Sequence, residues 1–314
     1  MHKVLVTGGA GFIGSHLTES LVQDGIKVII VDDFSNGSTE NLKMVRDRIN
    51  VINFDISNNN WNKINEFNPD TIFHLATHPR SFSLQNPNRN IEVNVTGTLN
   101  VIEFARKKKS KLVYTSNSGI CGDPKFFPVT EDHPVDCKTP YDANKLLGEY
   151  YFKIYFRMYD VYSVIFRLAT VYGERQRINE ELGWRPVIPS LVERLEAEKS
   201  PIIQWDGEQT RDLIYVKDVV DCLIQGALSN DQGGEMFLLS TNIETSVNKA
   251  YELISKVMNK NVKPLYAEKI PGDLRRMVLS YEKAKKAFGY TPKISLEEGI
   301  KRYVKWYKST KLVN

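Results

Sequence analysis

From Lys3 to Leu17 the chain reads "KVLVTGGAGFIGSHL". Five residues have the apolar, β-branched character of a buried strand; a glycine-rich turn and the start of a helical pattern follow. Gly8, Gly11 and Gly14 are spaced three apart across that turn. The first permits a tight reversal, the second lets a pyrophosphate approach the backbone, and the third lets the helix pack closely. A helix N-terminus then faces the phosphate charge. Three glycines alone are weak evidence, but the context strengthens them. A second strand, "KVIIVDD", follows the helix and ends at Asp32, eighteen residues after Gly14. A carboxylate there accepts hydrogen bonds from the hydroxyls of an adenosine ribose and repels a 2′-phosphate, so NAD is expected over NADP.

Outward from this unit, short β-branched runs alternate with helical patterns: "NVINFD", "TIFHLAT", a helix near 91–107, and "KLVYTS". That alternation predicts an α/β fold, a doubly wound parallel (Rossmann) sheet with helices on both faces. The expected organisation is an NAD-binding domain over 1–175, with 210–242 returning to it. A smaller C-terminal substrate-binding domain is expected over 176–209 and 243–314. This last region is charged, helical and punctuated by Pro264, Pro271 and Pro292.

Composition limits the partners. With 314 residues, 41% hydrophobic and 25% charged, a sizeable core is expected. The net charge of +4 is modest and scattered, and the cluster "RKKKSK" at 106–111 reads as a solvated helix end, so no nucleic-acid partner is expected. Cys121, Cys137 and Cys222 stand far apart, giving neither a disulfide framework nor a metal signature. With no leader and no run of about 18 apolar residues, a soluble cytoplasmic protein without a membrane partner is expected.

The stretch "PYDANKLLGEYYFKIYFRMY", 140–159, places Tyr141 four residues before Lys145, so on a helix the two share a face. A lysine ammonium favours phenolate, which predicts a lowered Tyr141 pKa and a general base able to deprotonate an alcohol. Around the same helix Asp142, Glu149, Lys153 and Arg157 share a polar arc of about 80°, and Leu147, Tyr150, Tyr151, Ile154, Tyr155, Phe156 and Met158 fill the rest. That apolar arc is wider than one core-facing stripe, so a second buried side is expected, against the same helix (141–158) of a second subunit in a C2 homodimer.

Together these motifs resemble the extended short-chain dehydrogenase/reductases, within the nucleotide-sugar epimerase and dehydratase group. Besides "TGGAGFIGSHL" and "YDANK", the resemblance rests on "HLAT" (74–77), "EVNVTGTLNVIE" (92–103), "FRLATVYGERQ" (166–176), "TRDLIYVKDVV" (210–220) and "PGDLRR…KAKKAFGYTPKISLEEGI" (271–300). It implies NAD used transiently: Tyr141 takes a proton from a hydroxyl of a nucleotide-diphosphate sugar while hydride passes to the nicotinamide. Hydride return to the other face gives the epimer, most simply at C4 of a UDP-hexose. It further implies that Asp55 and Ile56 flank the adenine, that Leu75 and Ala76 line the cofactor groove, and that Asn94 supports the site. The remaining cofactor contacts it implies are Phe12, Ile13, Asn36, Gly37, Thr115 and Ala169. Arg211, with Thr170 and Arg275, is implied in substrate binding, a guanidinium fork matching diphosphate oxygens.

Several positions depart from the group's pattern. Counting five residues back from Gly122, where a Ser or Thr is usual, gives Asn117, flanked by Ser116 and Ser118; either Asn117 or Ser118 is a candidate hydrogen-bond donor to the reacting oxygen. Where dehydratases of this type carry an Asp-Glu pair, Ser118 and Gly119 stand, which disfavours dehydration. Thr170 replaces a usual Asn and Ile270 a frequent Arg, leaving base and sugar open. A dehydratase, reductase or 2-epimerase of the same group, or a non-catalytic NAD-binding sensor, remains as the alternative.

Overall fold

The computed structural model describes residues 1–270 and 272–311; Pro271, in the "PGD" stretch, and residues 312–314 lie outside the described residues. The chain forms two compact units. The first comprises Met1–Ile120, Cys137–Arg167 and Val220–Phe237, the second Cys121–Asp136, Leu168–Val219 and Leu238–Asn314.

In chain order the first unit contains β1 (Lys3–Thr7), α1 (Phe12–Gln23), β2 (Lys27–Asp32), β3 (Ile49–Asn53), α2 (Asn62–Asn65), β4 (Thr71–His74), α3 (Arg80–Gln85) and α4 (Pro87–Ile91). A π-helical stretch (Glu92–Gly97) leads into α5 (Thr98–Lys108), followed by β5 (Lys111–Asn117), α6 (Pro140–Tyr159) and β6 (Ser163–Leu168). The central residues of β1, all of β4 and all of β6 are buried, as strands covered on both faces must be. Thr139 caps α6 by accepting from the Asp142 N–H, Pro140 occupies the first turn, and Asp160 ends the helix in the left-handed region. The basic residues Arg106, Lys107 and Lys108 sit in the last turn of α5, where cations favour the helix dipole.

The second unit begins with β7 (Thr170–Tyr172), α7 (Val187–Glu196), β8 (Ile202–Gln204) and β9 (Thr210–Tyr215). Then α8 (Val216–Leu228) and β10 (Met236–Leu239) lead back to the large sheet. It continues with β11 (Glu244–Ser246), α9 (Val247–Met258), β12 (Leu265–Ala267), α10 (Glu282–Phe288) and α11 (Leu296–Lys311).

The seven-stranded sheet has the order β10-β6-β5-β4-β1-β2-β3, with parallel pairing at β1–β2, β1–β4, β2–β3 and β4–β5. The chain order reverses direction between β1 and β4. In such sheets ligands bind at that switch, outside the carboxyl ends of the strands, where the glycine turn after Thr7 and the "LAT" segment after His74 lie. The segment that returns to the first unit is Val220–Phe237, shorter than 210–242. β9 instead pairs with β7 and β11 in a separate three-stranded sheet, and β8 with β12 in a two-stranded one. Asp212 on β9 ties the second unit together. It is 1% exposed and accepts from the Thr241, Asn242 and Leu279 N–H groups. Among the described residues no helix is long and apolar enough to cross a membrane, and no group of three metal-binding side chains occurs.

Candidate active site

The glycine turn is held by contacts that no side chain could share. Gly8 adopts φ +71° and donates to Val31 O at 2.9 Å; a Cβ on it would lie 2.7 Å from Ala76 N. A Cβ on Gly14 would lie 2.1 Å from Gly8 O, so α1 can start this close to the strand only with glycine there. Gly11 caps α1 with no side-chain hydrogen bond, and the first turn carries no acid. Helix geometry leaves the N–H groups of Phe12, Ile13 and Gly14 without intrahelical acceptors, a cradle suited to a pyrophosphate.

Asp32 sits at the end of β2, 6% exposed, accepting from Ala10 N and Phe34 N, each at 2.9 Å. One N–H on each oxygen leaves acceptor capacity for ribose hydroxyls. Burial raises its pKa, opposed by the Phe34 and Ala10 N–H groups. Gly37 packs against it, with space for no Cβ, 2.8 Å from Asp32 Oδ1; Asn36 lies in the same turn. Asp55 is held by Arg89 at 2.5 Å and by Ser57, and Ile56 packs on Gly97. Leu75 is buried and Ala76 lies against Gly8. The cradle and the buried acid fit the pyrophosphate and the adenosine ribose of an NAD molecule.

Asn94, on the π-helical stretch, is 1% exposed and fully engaged: its Oδ1 accepts from Thr77 Oγ1 and His78 N, each at 2.9 Å, and its Nδ2 donates to His78 O and Asn90 Oδ1, each at 3.1 Å. Such stretches recur at functional sites. Tyr141 is half-buried and hydrogen-bonded to Thr77, completing a chain from phenol to Asn94. Lys145, 3% exposed, stands 4.4 Å over the ring of Tyr114. Behind it His74 bridges Thr7 Oγ1 (2.8 Å) and Thr98 Oγ1 (2.9 Å), and its pKa is pushed well down by burial and then by Lys145. Thr115, buried on β5, donates to His74 O.

The protonation of the pair differs from the expectation. Burial pushes the Tyr141 phenol up to about 12, and burial pulls Lys145 down to about 7, opposed by Glu149. Desolvation disfavours both charged forms at once, and it is the largest influence on each.

Asn117 ends β5. Its Oδ1 accepts from Gly119 N at 2.6 Å, while its Nδ2 is buried without a hydrogen-bond partner among the described residues, as is Ser116 Oγ. Ser118, partly exposed, opens the short helical turn Ser118–Cys121. A Cβ on Gly119 would lie 2.6 Å from both Asn117 Oδ1 and Asp142 Oδ1. Asp142 is 0% exposed, with Oδ2 accepting from Thr139 Oγ1 at 2.6 Å.

The remaining expected residues belong to the second unit. Ala169 is buried and donates to Leu239 O; Thr170, on β7, pairs with Leu213. Arg211 is engaged by Asp273 and by the carbonyls of Thr210 (2.6 Å) and Leu274 (2.8 Å). Arg275 forks onto Asp206 at 2.7 and 2.9 Å and covers the Trp205 ring at 4.8 Å.

Motif reading missed Thr77, Glu149 and Arg167. Thr77 lies inside the quoted "HLAT" and was accessible there. Glu149 and Arg167, fully buried partners, carry no local signal, because they are joined from α6 to β6 across 18 residues.

Residues 4–239 match the NAD dependent epimerase/dehydratase family. The chain is 36% identical over 313 residues to UDP-glucose 4-epimerase of Mycolicibacterium smegmatis, covering 98% of this chain and 99% of that one. It is 33% identical over 308 residues to UDP-glucuronic acid decarboxylase 6 of Arabidopsis thaliana, covering 95% and 86%. The crystal structure of UDP-glucose 4-epimerase with UDP-glucose from Thermotoga maritima superposes with a TM-score of 0.92 at 32% identity, covering 98% and 99%.

Proposed function

The chain belongs to the NAD dependent epimerase/dehydratase family, an enzyme that uses NAD, and within that family we propose that it inverts C4 of a UDP-hexose through a transient 4-keto sugar. Gly11 and the first turn of α1 would hold the pyrophosphate, Asp32 the adenosine ribose, and Lys145 with Tyr141 the nicotinamide end. Bound NAD supplies a two-electron acceptor and donor for the sugar carbon. Tyr141 takes the C4 hydroxyl proton and later returns it. Its phenol at about 12 needs a cation nearby to ionise, which is the role of Lys145 in its ammonium form. Asn117 Nδ2, the unused buried donor, would hydrogen-bond the reacting oxygen. In the second unit, Arg211 and Arg275 would reach a diphosphate only by exchanging their carboxylate partners Asp273 and Asp206.

The observation that carries this reading is the filled ground around Gly119. Expelling a leaving group needs an acid beside the sugar, and a side chain at 119 has no room against Asn117 and Asp142. Asp142 does not replace it, because it is fully buried and its carboxylate accepts from the hydroxyl of Thr139, the N-cap of α6. Oxidation and reduction at one carbon need no such acid. Incubation with UDP-glucose, UDP-GlcNAc and UDP-glucuronate should give the C4 epimer of at least one, without consuming added NAD(P)H. A 4-keto or pentose product, or no conversion, contradicts the proposal.

The working form would be a homodimer. Leu147, Tyr150, Ile154 and Met158 are 40%, 53%, 46% and 69% exposed, and they fall on one arc of about 80° along α6. Leu84 and Ile91, on the adjacent α3 and α4, are exposed as well. A second copy of the same face would cover the arc by two-fold symmetry. Ile154→Lys is expected to convert a dimer at micromolar concentration into monomers by sedimentation; an unmutated chain already of monomer mass removes the assignment.

A further inference from the structure

Glu149 and Arg167 form a closed ion pair inside the first unit. Arg167 Nε meets Glu149 Oε1 at 2.8 Å and Nη2 meets Oε2 at 2.8 Å, with both side chains almost wholly buried, at 1% and 3% exposure. A buried pair of this kind is weak evidence for stability, since apolar residues of similar volume often do as well, so its presence asks for another explanation. Its place supplies one. Glu149 lies four residues after Lys145, on the same face of α6, one turn further along the helix and likewise buried.

We propose that Glu149, held rigid by Arg167, is a positioning residue that keeps the buried Lys145 amine cationic beside Tyr141. The proposal rests on the proton-transfer role given above to the Tyr141–Lys145 pair. Lys145 is packed between its own helix and the sheet. From β5 it meets the Tyr114 ring; from β4, neutral His74, itself tied to Thr7 and Thr98. On α6 it has Tyr141 one turn before and Glu149 one turn after. The Tyr114 and Tyr141 phenols are kept protonated by burial, so neither offers it an anion. Asp142, the other acid of this part of α6, is committed to Thr139 and Arg80 at the helix start. Glu149 is thus the carboxylate placed to favour the ammonium. The two-point guanidinium contact prevents that carboxylate from swinging to another donor. Gly148 completes the arrangement: a Cβ there would lie 2.5 Å from Tyr114 Oη, so the ring under the amine is fixed by the same turn of helix. Burial drags Lys145 down to about 7 even with Glu149 in place, and Glu149 is the influence that opposes it.

The test reads Lys145 directly, without turnover. In holoenzyme labelled with 13Cε-lysine, the Lys145 resonance, assigned by its absence in Lys145→Met, is titrated by NMR. Glu149→Gln alone strands a buried guanidinium and risks unfolding, so the deciding variant is Glu149→Gln/Arg167→Met, which removes both charges together. Its Lys145 midpoint is expected to fall by about one pH unit. The ammonium is present below the midpoint, so the alkaline limb of kcat should move down by the same interval with KM unchanged. Glu149→Asp, which keeps a carboxylate, should restore the limb toward its original position. A folded double variant with an unmoved Lys145 midpoint overturns the proposal. So does a loss of kcat that is equal at every pH. Because the NMR midpoint needs no substrate, a wrong reaction assignment would show as absent turnover with the midpoint shift intact.

Discussion

Tyr141→Phe should fold, retain NAD and lose about 10³-fold in turnover, the range expected for removing one positioned proton-transfer group. The phenyl ring keeps the packing of the half-buried site and loses only the hydroxyl that hydrogen-bonds Thr77. Cofactor affinity should be nearly unchanged, because the cradle after β1 and the acid at the end of β2 are untouched. Measuring turnover and bound NAD on the same preparation separates this outcome from misfolding. Unimpaired turnover with Tyr141→Phe would assign the proton transfer to another group.

The second large effect concerns the backbone. Gly14→Ala places a methyl group 2.1 Å from Gly8 O and 2.8 Å from Gly9 Cα, all backbone atoms that have no side-chain rotation to relieve the overlap. The start of α1 must move, at a cost of about 3 kcal/mol or more. Its N–H groups move off the pyrophosphate position with it, and NAD affinity should fall on the order of a hundredfold. Gly25→Ala is the control. Gly25, unlike Gly14, has positive φ, +76°, but nothing lies within 4 Å of a Cβ there, so only the backbone cost of about 1 kcal/mol is expected. Thermal unfolding and NAD titration of both variants check the contrast. Equal losses in the two would mean that close approach at Gly14 is not what the turn requires.

The parts of this fold that were legible in the sequence are those governed by local rules. Strand, glycine turn, helix and the acid at Asp32 follow one another within 30 residues, and each is dictated by nearest-neighbour geometry. The spacing that puts Tyr141 and Lys145 on one face of α6 is equally local. What escaped depends on distant partners. Asp142 and Glu149 fall in the polar arc of α6, yet both turn inward, one meeting the Thr139 hydroxyl and Arg80 and the other Arg167 on β6. The protonation of Tyr141 and Lys145 was misjudged because adjacency is visible in a sequence and desolvation is not. The strands β7 and β9 read like the strands of the large sheet, and only pairing reveals that they form another one. Arg211 has the side chain for a diphosphate, but its present carboxylate partner, Asp273, lies 62 residues away.

If the enzyme inverts a sugar carbon by removing and returning the same two-electron equivalent, the hydrogen on that carbon never reaches solvent. UDP-[4-2H]glucose incubated with the protein in ordinary water should therefore yield UDP-galactose that still carries deuterium at C4, read by NMR. Deuterium lost to water, or appearing at another carbon, would contradict the account.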